Sequence, residues 1–310
     1  MLNTNVKKVS RAPQLRPPFT FRDVKQAIPP HCFKRSVLQS FSYLLLDVAI
    51  SFSLYHISAK CITKPVPSHL YFLISWITYS LLQFCVLVRI WIIGHECGHH
   101  ASSDYEWLDD VVGFIPPLLP TIPLLLAISS LLVFGLPTYL LINFRSGDHD
   151  RFASHFNPFS QIFSRGQHAQ ILPSDAGVLA MSHGLHKLAS IKGFAWIAFV
   201  YGGPYLTLNA LLIVAFILNH THPFVPYYDS SEWDWLRGSL ATIHRDFGIF
   251  NTVFHNATKT HVAHHFFPRI PHYHAEEATR AMKPILGKHY QYDDTPFYQS
   301  LWSTIRDCLR

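Results

Sequence analysis

The chain has 310 residues, 49% of them hydrophobic and only 14% charged, and its mean hydropathy is positive at +0.16. That balance excludes an ordinary soluble domain and a disordered chain and places the protein among membrane proteins. The net charge of +6 lies mainly towards the two ends without dense basic runs, so it reads as membrane-orientation charge, and no nucleic-acid partner is expected.

Residues 1 to 36 are polar and basic, with Lys7, Lys8, Arg11, Arg16, Arg22, Lys25, Lys34 and Arg35. No apolar run precedes Val37, so no cleavable signal peptide is expected, and eight cations before the first span predict a cytosolic N-terminus. Four stretches suit a crossing of roughly 20 helical residues: about 37–57, 70–93, 120–144 and 195–218. The third lies in a 34-residue uncharged run, Val111 to Phe144, interrupted by Pro116, Pro117, Pro120, Pro123 and Pro137, which predicts a late start and a kink. Asp47 and Arg89 fall inside the first two spans, where they are expected to face protein or snorkel.

At the end of the second apolar run stands Gly94-His95-Glu96-Cys97-Gly98-His99-His100, and far downstream His261-Val262-Ala263-His264-His265. On helices, His95 and His99 are a turn apart, as are His261, His264 and His265, so each group projects imidazoles from one face. Neutral imidazole suits iron, zinc and copper, and with 21 histidines against 19 acidic residues, metal ligation is the economical explanation. The five cysteines, Cys32, Cys61, Cys85, Cys97 and Cys308, are isolated and without CxxC spacing, which suits a reducing, cytosol-facing location rather than a disulfide framework.

If both clusters serve one centre, the number of crossings between them must be even, which the third and fourth spans supply. Residues 145 to 192 then lie on the lumenal side or in the interface, and the apolar stretch 176–190 is read as interfacial rather than as a fifth span. The expected architecture is an all-α membrane protein in one domain, 1–310: a cytosolic N-terminal segment, 1–36, a four-helix transmembrane bundle, and a cytosolic helical cap, 219–310.

Several strings then carry a resemblance: Ala27-Ile28-Pro29-Pro30-His31-Cys32-Phe33-Lys34-Arg35-Ser36, His95 to His100 followed by Ser103 to Asp110, Asp229 to Gly238, Thr260 to His265, and Pro271-His272-Tyr273-His274-Ala275. Over nearly its whole length the chain resembles the plant endoplasmic reticulum omega-6 (oleate) desaturases and their divergent hydroxylase, acetylenase and conjugase relatives. Gly94, where ordinary oleate desaturases typically carry alanine, points to the divergent branch. The resemblance implies a multi-pass protein of the endoplasmic reticulum membrane with both termini cytosolic, and a non-haem di-iron centre. It also implies an acyl chain esterified to phospholipid, molecular oxygen, and electrons from cytochrome b5 and its reductase. No His-Pro-Gly-Gly motif of a fused cytochrome b5 is present, so the donor would be a separate protein. Association with itself or with other desaturases is a further expectation.

The family's middle box, His-x-x-His-His, has no counterpart, because no histidine occurs between His100 and His149. Asp109-Asp110 passes directly into Val111-Val112-Gly113, as though a few tens of residues were missing. A centre without these ligands is expected to be incomplete, since ligand count and open positions decide what a site holds. His149, His155, His183 and His186 are weighed as substitutes and read as interfacial. The expected catalytic set is His95, His99, His100, His261, His264 and His265. The expected metal ligands add the fourth span's end, with His220 and His222 both candidates. His255, His272 and His274 are expected to support the cap, and Asp229, Glu232 and Asp234 to form a solvated acidic face rather than accept imidazole N–H bonds. His244 stands where the family usually has aspartate. The family's aromatic C-terminal tail is expected to be absent after Arg310. The functional expectation is a desaturase-family oxidoreductase with impaired chemistry; the alternative is a catalytically inactive relative that modulates an active partner.

Overall fold

The computed structural model describes residues 13, 15–62, 69–99, 101, 140–142, 153–163, 168–226, 228 and 231–308. It divides into two compact units, Ser36–Val214, and Met1–Arg35 together with Ala215–Arg310.

The first unit is built on long apolar helices, α2 (Val37–Ile62) and α3 (His69–Gly98). At about 1.5 Å per residue each exceeds the roughly 30 Å hydrocarbon thickness of a bilayer. Their polar contacts fix the packing: Gln83 donates to Ser51, and Arg89 Nε donates to Asp47 Oδ1 at 2.7 Å. Rising numbers on α3 meet falling numbers on α2, so the helices are antiparallel. The two intramembrane charges are thus each other's partner, with Asp47 fully buried. Leu45, Leu46, Phe52 and Ile57 on α2, and Leu73, Ile74, Ile77 and Leu81 on α3, remain exposed, as helices facing lipid require.

The expected third span, 120–144, lies outside the described residues except for 140–142, which are helical. Helix α4 (His168–Lys192) covers the stretch expected at the interface. It stops at Gly193, whose φ of +89° an L side chain rarely adopts. From there α5 (Phe194–Ile197), a π turn (Ala198–Gly202) and α6 (Gly203–His220) make one apolar run. Phe199 stacks on Trp76 at 5.2 Å, Tyr79 donates to the Val200 carbonyl at 3.1 Å, and a Cβ on Gly203 would meet Ser80 Oγ at 2.7 Å. Among the described residues three runs are long and apolar enough to cross a membrane, Val37–Ile62, His69–Cys97 and Phe194–His220, with mean hydropathies of 1.5, 1.7 and 1.7.

In the second unit residues 15–35, the described part of the basic N-terminal segment, are folded. Thr20 and Asp23 form a reciprocal capping box at the start of α1 (Phe21–Ala27), and a 3-10 turn follows at Pro30–Phe33. Val24, Ile28 and Cys32 then bury against α10 (His272–Leu286), which offers Ala275, Ala278, Met282 and Leu286 at helical spacing. The remaining helices are α7 (Trp235–Leu240), α8 (Phe250–Val253), α9 (His261–Phe266) and α11 (Phe297–Cys308), with a 3-10 turn at Gly287–His289. The unit is not purely helical: β1 (His244–Arg245) and β2 (Tyr292–Asp293) pair in parallel, with His244 opposite Tyr292. The ladder sets Arg245 opposite Asp293, to which its buried guanidinium donates. A two-residue strand leaves too little periodicity to read from sequence.

Candidate metal centre

Helix α9 follows a left-handed turn at His255 (φ +46°) and Asn256 (φ +61°), whose carbonyl accepts from the Thr260 backbone and hydroxyl, at 2.9 and 3.0 Å. Val262, Ala263 and Phe266 go into the core, so helical periodicity turns His261, His264 and His265 away from it. The backbone carbonyl of His265 accepts from Ser239 Oγ at 3.0 Å.

His220 comes from the last turn of α6, whose end is clamped. Arg245 Nε donates to the Leu218 carbonyl at 2.6 Å, and the Asn219 carbonyl accepts from Thr242 Oγ1 at 2.9 Å and from Ile243 N–H at 3.0 Å. Arg245 itself is buried, 2% exposed, and also donates to Asp293 and, at 2.7 Å, to Ser300 Oγ. Burial works against ionisation of Asp293, but hydrogen bonds from Thr295 and the adjacent guanidinium hold its carboxyl below the usual range. Sequence reasoning misses Arg245 and Asp293; the one available signal is a charge set among Ile243, Phe247 and other apolar residues.

Three imidazoles converge. His220 Nε2 is 3.0 Å from His261 Nε2, which is 3.2 Å from His265 Nε2, with ring centroids 4.7 to 4.9 Å apart. An imidazole nitrogen bears either a hydrogen or a single in-plane lone pair, so His261 Nε2 cannot donate to one neighbour and accept from the other. With all three Nε2 atoms unprotonated, three lone pairs point together, an arrangement that a shared cation stabilises. With metal–nitrogen bonds of about 2.1 Å, ligands at 90° are about 3.0 Å apart and at tetrahedral angles about 3.4 Å, which is the spacing found. The donor set therefore fits a first-row metal such as iron.

His264 stands at the rim of this trio, its ring 6.0 Å from those of His261 and His265. His222 is turned elsewhere: its Nδ1 accepts from Phe224 N–H at 3.2 Å and its Nε2 lies 3.6 Å from Asp293 Oδ2. His95 and His99 pair edge to face at 4.6 Å at the end of α3, with Trp91 stacked on His95 at 5.1 Å. His100, His149 and Asp229 lie outside the described residues. His183 and His186 are exposed on α4, and His155 donates its backbone N–H to the Leu140 carbonyl at 2.8 Å. Asp234 caps α7 by accepting Arg237 N–H at 2.8 Å, and Glu232 lies 3.8 Å from the Arg237 guanidinium, so the acidic run serves a helix end. His255 and His272 pack ring to ring at 4.3 Å in the cap. His244 is buried against Tyr290 and Tyr292, and burial, with Lys283 and Lys259 nearby, pushes its pKa down to about 3.

Residues 123–297 match the family model described as Fatty acid desaturase, a span that includes His220, His261, His264 and His265. Residues 2–56 match a domain of unknown function, DUF3474. The chain is 44% identical over 347 positions to the bifunctional desaturase/conjugase FADX of Vernicia fordii, covering 98% of this chain and 89% of that protein. It is 43% identical over 347 positions to an omega-6 fatty acid desaturase, endoplasmic reticulum isozyme 1, of Glycine max, with the same coverage. It is 41% identical over 345 positions to an oleoyl-12-hydroxylase of Ricinus communis, covering 97% and 89%. The 347 aligned positions exceed the 310 residues of this chain, so part of these relatives has no counterpart here. A family match over more than half of the residues, joined to this identity along nearly the full length, means that the chain belongs to the fatty acid desaturases, a family of oxidoreductases of lipid metabolism.

Proposed function

We propose that the protein is a membrane desaturase-family oxidoreductase directed at phospholipid-bound acyl chains, of omega-6 or divergent acetylenase and conjugase type, with catalysis impaired by the absent middle histidine box. The convergent Nε2 atoms of His220, His261 and His265 carry the reading, because that arrangement is costly unless a cation binds there. The assigned ligands are His95, His99, His100, His220, His261, His264 and His265, and His220 replaces the pair left open at the end of the fourth span because His222 engages Asp293. Bound iron would supply the oxygen activation needed to take hydrogen from an unactivated methylene.

This chain's own residues do the holding. Arg245 and Asn219 fix the end of α6, and α9 presents its imidazoles through a core-facing Val262, Ala263 and Phe266. Trp91 keeps the His95 ring in one orientation by stacking. Electrons are assigned to separate cytochrome b5 and its reductase, and the co-substrate to molecular oxygen. The proposed setting is the endoplasmic reticulum membrane, with four crossings and both termini cytosolic.

A second reading rests on the absence of His-x-x-His-His between His100 and His149: an inactive relative that associates with an active desaturase and changes its output. Expression in yeast with cytochrome b5, fatty-acid analysis, and iron counting on purified protein test both. The impaired-enzyme reading expects fewer than two irons per chain, loss of that iron in His261→Ala, and little or no new product. Two full irons, with unsaturated, hydroxylated or acetylenic products that vanish in His95→Ala, would overturn the impairment. Altered output of a co-expressed desaturase, by a chain that makes no product itself, selects the second reading. The sequons at Asn219 and Asn256 should stay unmodified in this topology; sugar on Asn256 would refute it.

A further inference from the structure

The desaturase reading leaves unused a second group of ligating side chains in the same unit. His31 and Cys32 sit in the 3-10 turn Pro30–Phe33, and His274 and Glu277 sit three residues apart on α10. Their donor atoms all lie within 4.8 Å of one another. His31 Nε2 is 2.8 Å from Glu277 Oε2, and the rings of His31 and His274 meet edge to face at 5.5 Å.

We propose that His31, Cys32, His274 and Glu277 form a zinc-binding site that pins the N-terminal segment to helix α10. The donor set is the mixture zinc accepts in four-coordinate sites: one sulfur, two imidazole nitrogens and one carboxylate oxygen. One thiolate and one carboxylate neutralise the dication, and the two histidines add no charge. In a tetrahedral zinc site with bonds of about 2.0 to 2.3 Å, donors stand about 3.3 to 3.8 Å apart. The present spread closes through side-chain rotation of the outer pair, because His31 and Glu277 are 52% and 42% exposed at the side chain while Cys32 is sealed beneath them. The outer pair also gives the ion its route in.

A plain His31–Glu277 ion pair, with the Cys32 thiol hydrogen-bonded to the same carboxylate, does not call for the second imidazole, which His274 brings edge-on to the His31 ring. Without a metal, burial and the adjacent carboxylate push the Cys32 thiol up to about 11, so it stays protonated against Glu277. Binding exchanges that proton, released to solvent, for the ion. The backbone is already set: Pro29 and Pro30 restrict the turn, Cys32 N–H donates to the Pro29 carbonyl at 2.9 Å, and Lys34 N–H to the His31 carbonyl at 2.9 Å. On both sides of the site, Val24, Ile28, Ala275 and Ala278 form one core, so binding would stabilise contacts that exist rather than create them.

The test uses the full chain purified in detergent, stripped of metal and titrated with cobalt and then with zinc. Expected is one cobalt per chain at this site, with a thiolate-to-cobalt absorption band in the near ultraviolet that zinc displaces. Cys32→Ser should abolish the band, and Glu277→Gln and His274→Gln should each weaken zinc binding by at least about tenfold. His261→Ala, which removes a proposed iron ligand, should leave the band and zinc affinity unchanged, so this site and the desaturase centre fail separately. The wild-type cobalt spectrum needs no variant to fold: a folded chain without a thiolate band refutes the proposal. So does a folded Cys32→Ser chain that binds zinc as tightly as wild type.

Discussion

Removing the buried guanidinium beneath the candidate metal centre gives the sharpest test of how that centre is held. Arg245→Met keeps the length and apolar stem but deletes the bonds to the Leu218 carbonyl, Asp293 and Ser300. Each hydrogen bond involving a charged group is worth about 1.5 to 3 kcal/mol. The larger effect is that Asp293 is left as a buried, uncompensated carboxylate, and breaking such a pair typically costs about 3 to 5 kcal/mol. The net loss should fall in that second range, because the bonds and the stranded charge describe the same deletion and are not summed. The assay is thermal unfolding of the purified protein in a lipid nanodisc, followed by circular dichroism and compared at one heating rate because unfolding of such a chain is operationally irreversible. Adding Asp293→Asn to Arg245→Met removes the stranded charge and should recover a large part of the loss. Iron content should fall in Arg245→Met before the fold is lost, since Leu218 lies two residues from His220. If Arg245→Met costs less than about 1 kcal/mol, or the double variant is no better than the single, the reasoning from a buried charge pair is wrong.

Two further outcomes follow from the same physics. The pKa of His244 is held down to about 3 against 6.5 for an ordinary histidine. Above pH 6.5 it is neutral whether the protein is folded or not; between 6.5 and about 3 only the unfolded chain takes up the proton. Stability should therefore fall with decreasing pH across that window by at most about 1.4 kcal/mol per unit. His244→Gln should flatten the profile there, and a slope unchanged from wild type would count against the assignment. Within the apolar helices, Asp47→Ala strips Arg89 of its 2.7 Å partner. It should destabilise the protein by about 3 kcal/mol, with Asp47→Ala/Arg89→Leu recovering much of the loss in the same nanodisc assay.

The long spans were legible because twenty or so apolar residues leave a helix across the membrane as the only way to satisfy the backbone. Val37–Ile62 and His69–Gly98 run several residues past the expected ends, and the extension of α3 carries His95 on helix and places His99 in the turn beyond it. Asp47 and Arg89 were expected to face protein or snorkel; that they face each other depends on the antiparallel register of α2 and α3, which has no signature in either helix alone. The N-terminal segment looked merely basic, and its described part is held by four spaced apolar residues, Phe19, Val24, Ile28 and Cys32, which share one core with residues of α7, α9 and α10.

From residue order alone came the membrane class, the imidazole faces at helical spacing, the family resemblance and the missing box, because periodicity, composition and motif are local properties of a chain. Which histidines share a point in space was decided only in three dimensions. His220 and His222 are indistinguishable as neighbours at a helix end, yet one meets His261 and His265 while the other turns to Asp293. That choice is made by a buried arginine holding the end of α6 and by a two-residue strand pair near position 292, contacts between distant segments that periodicity does not encode.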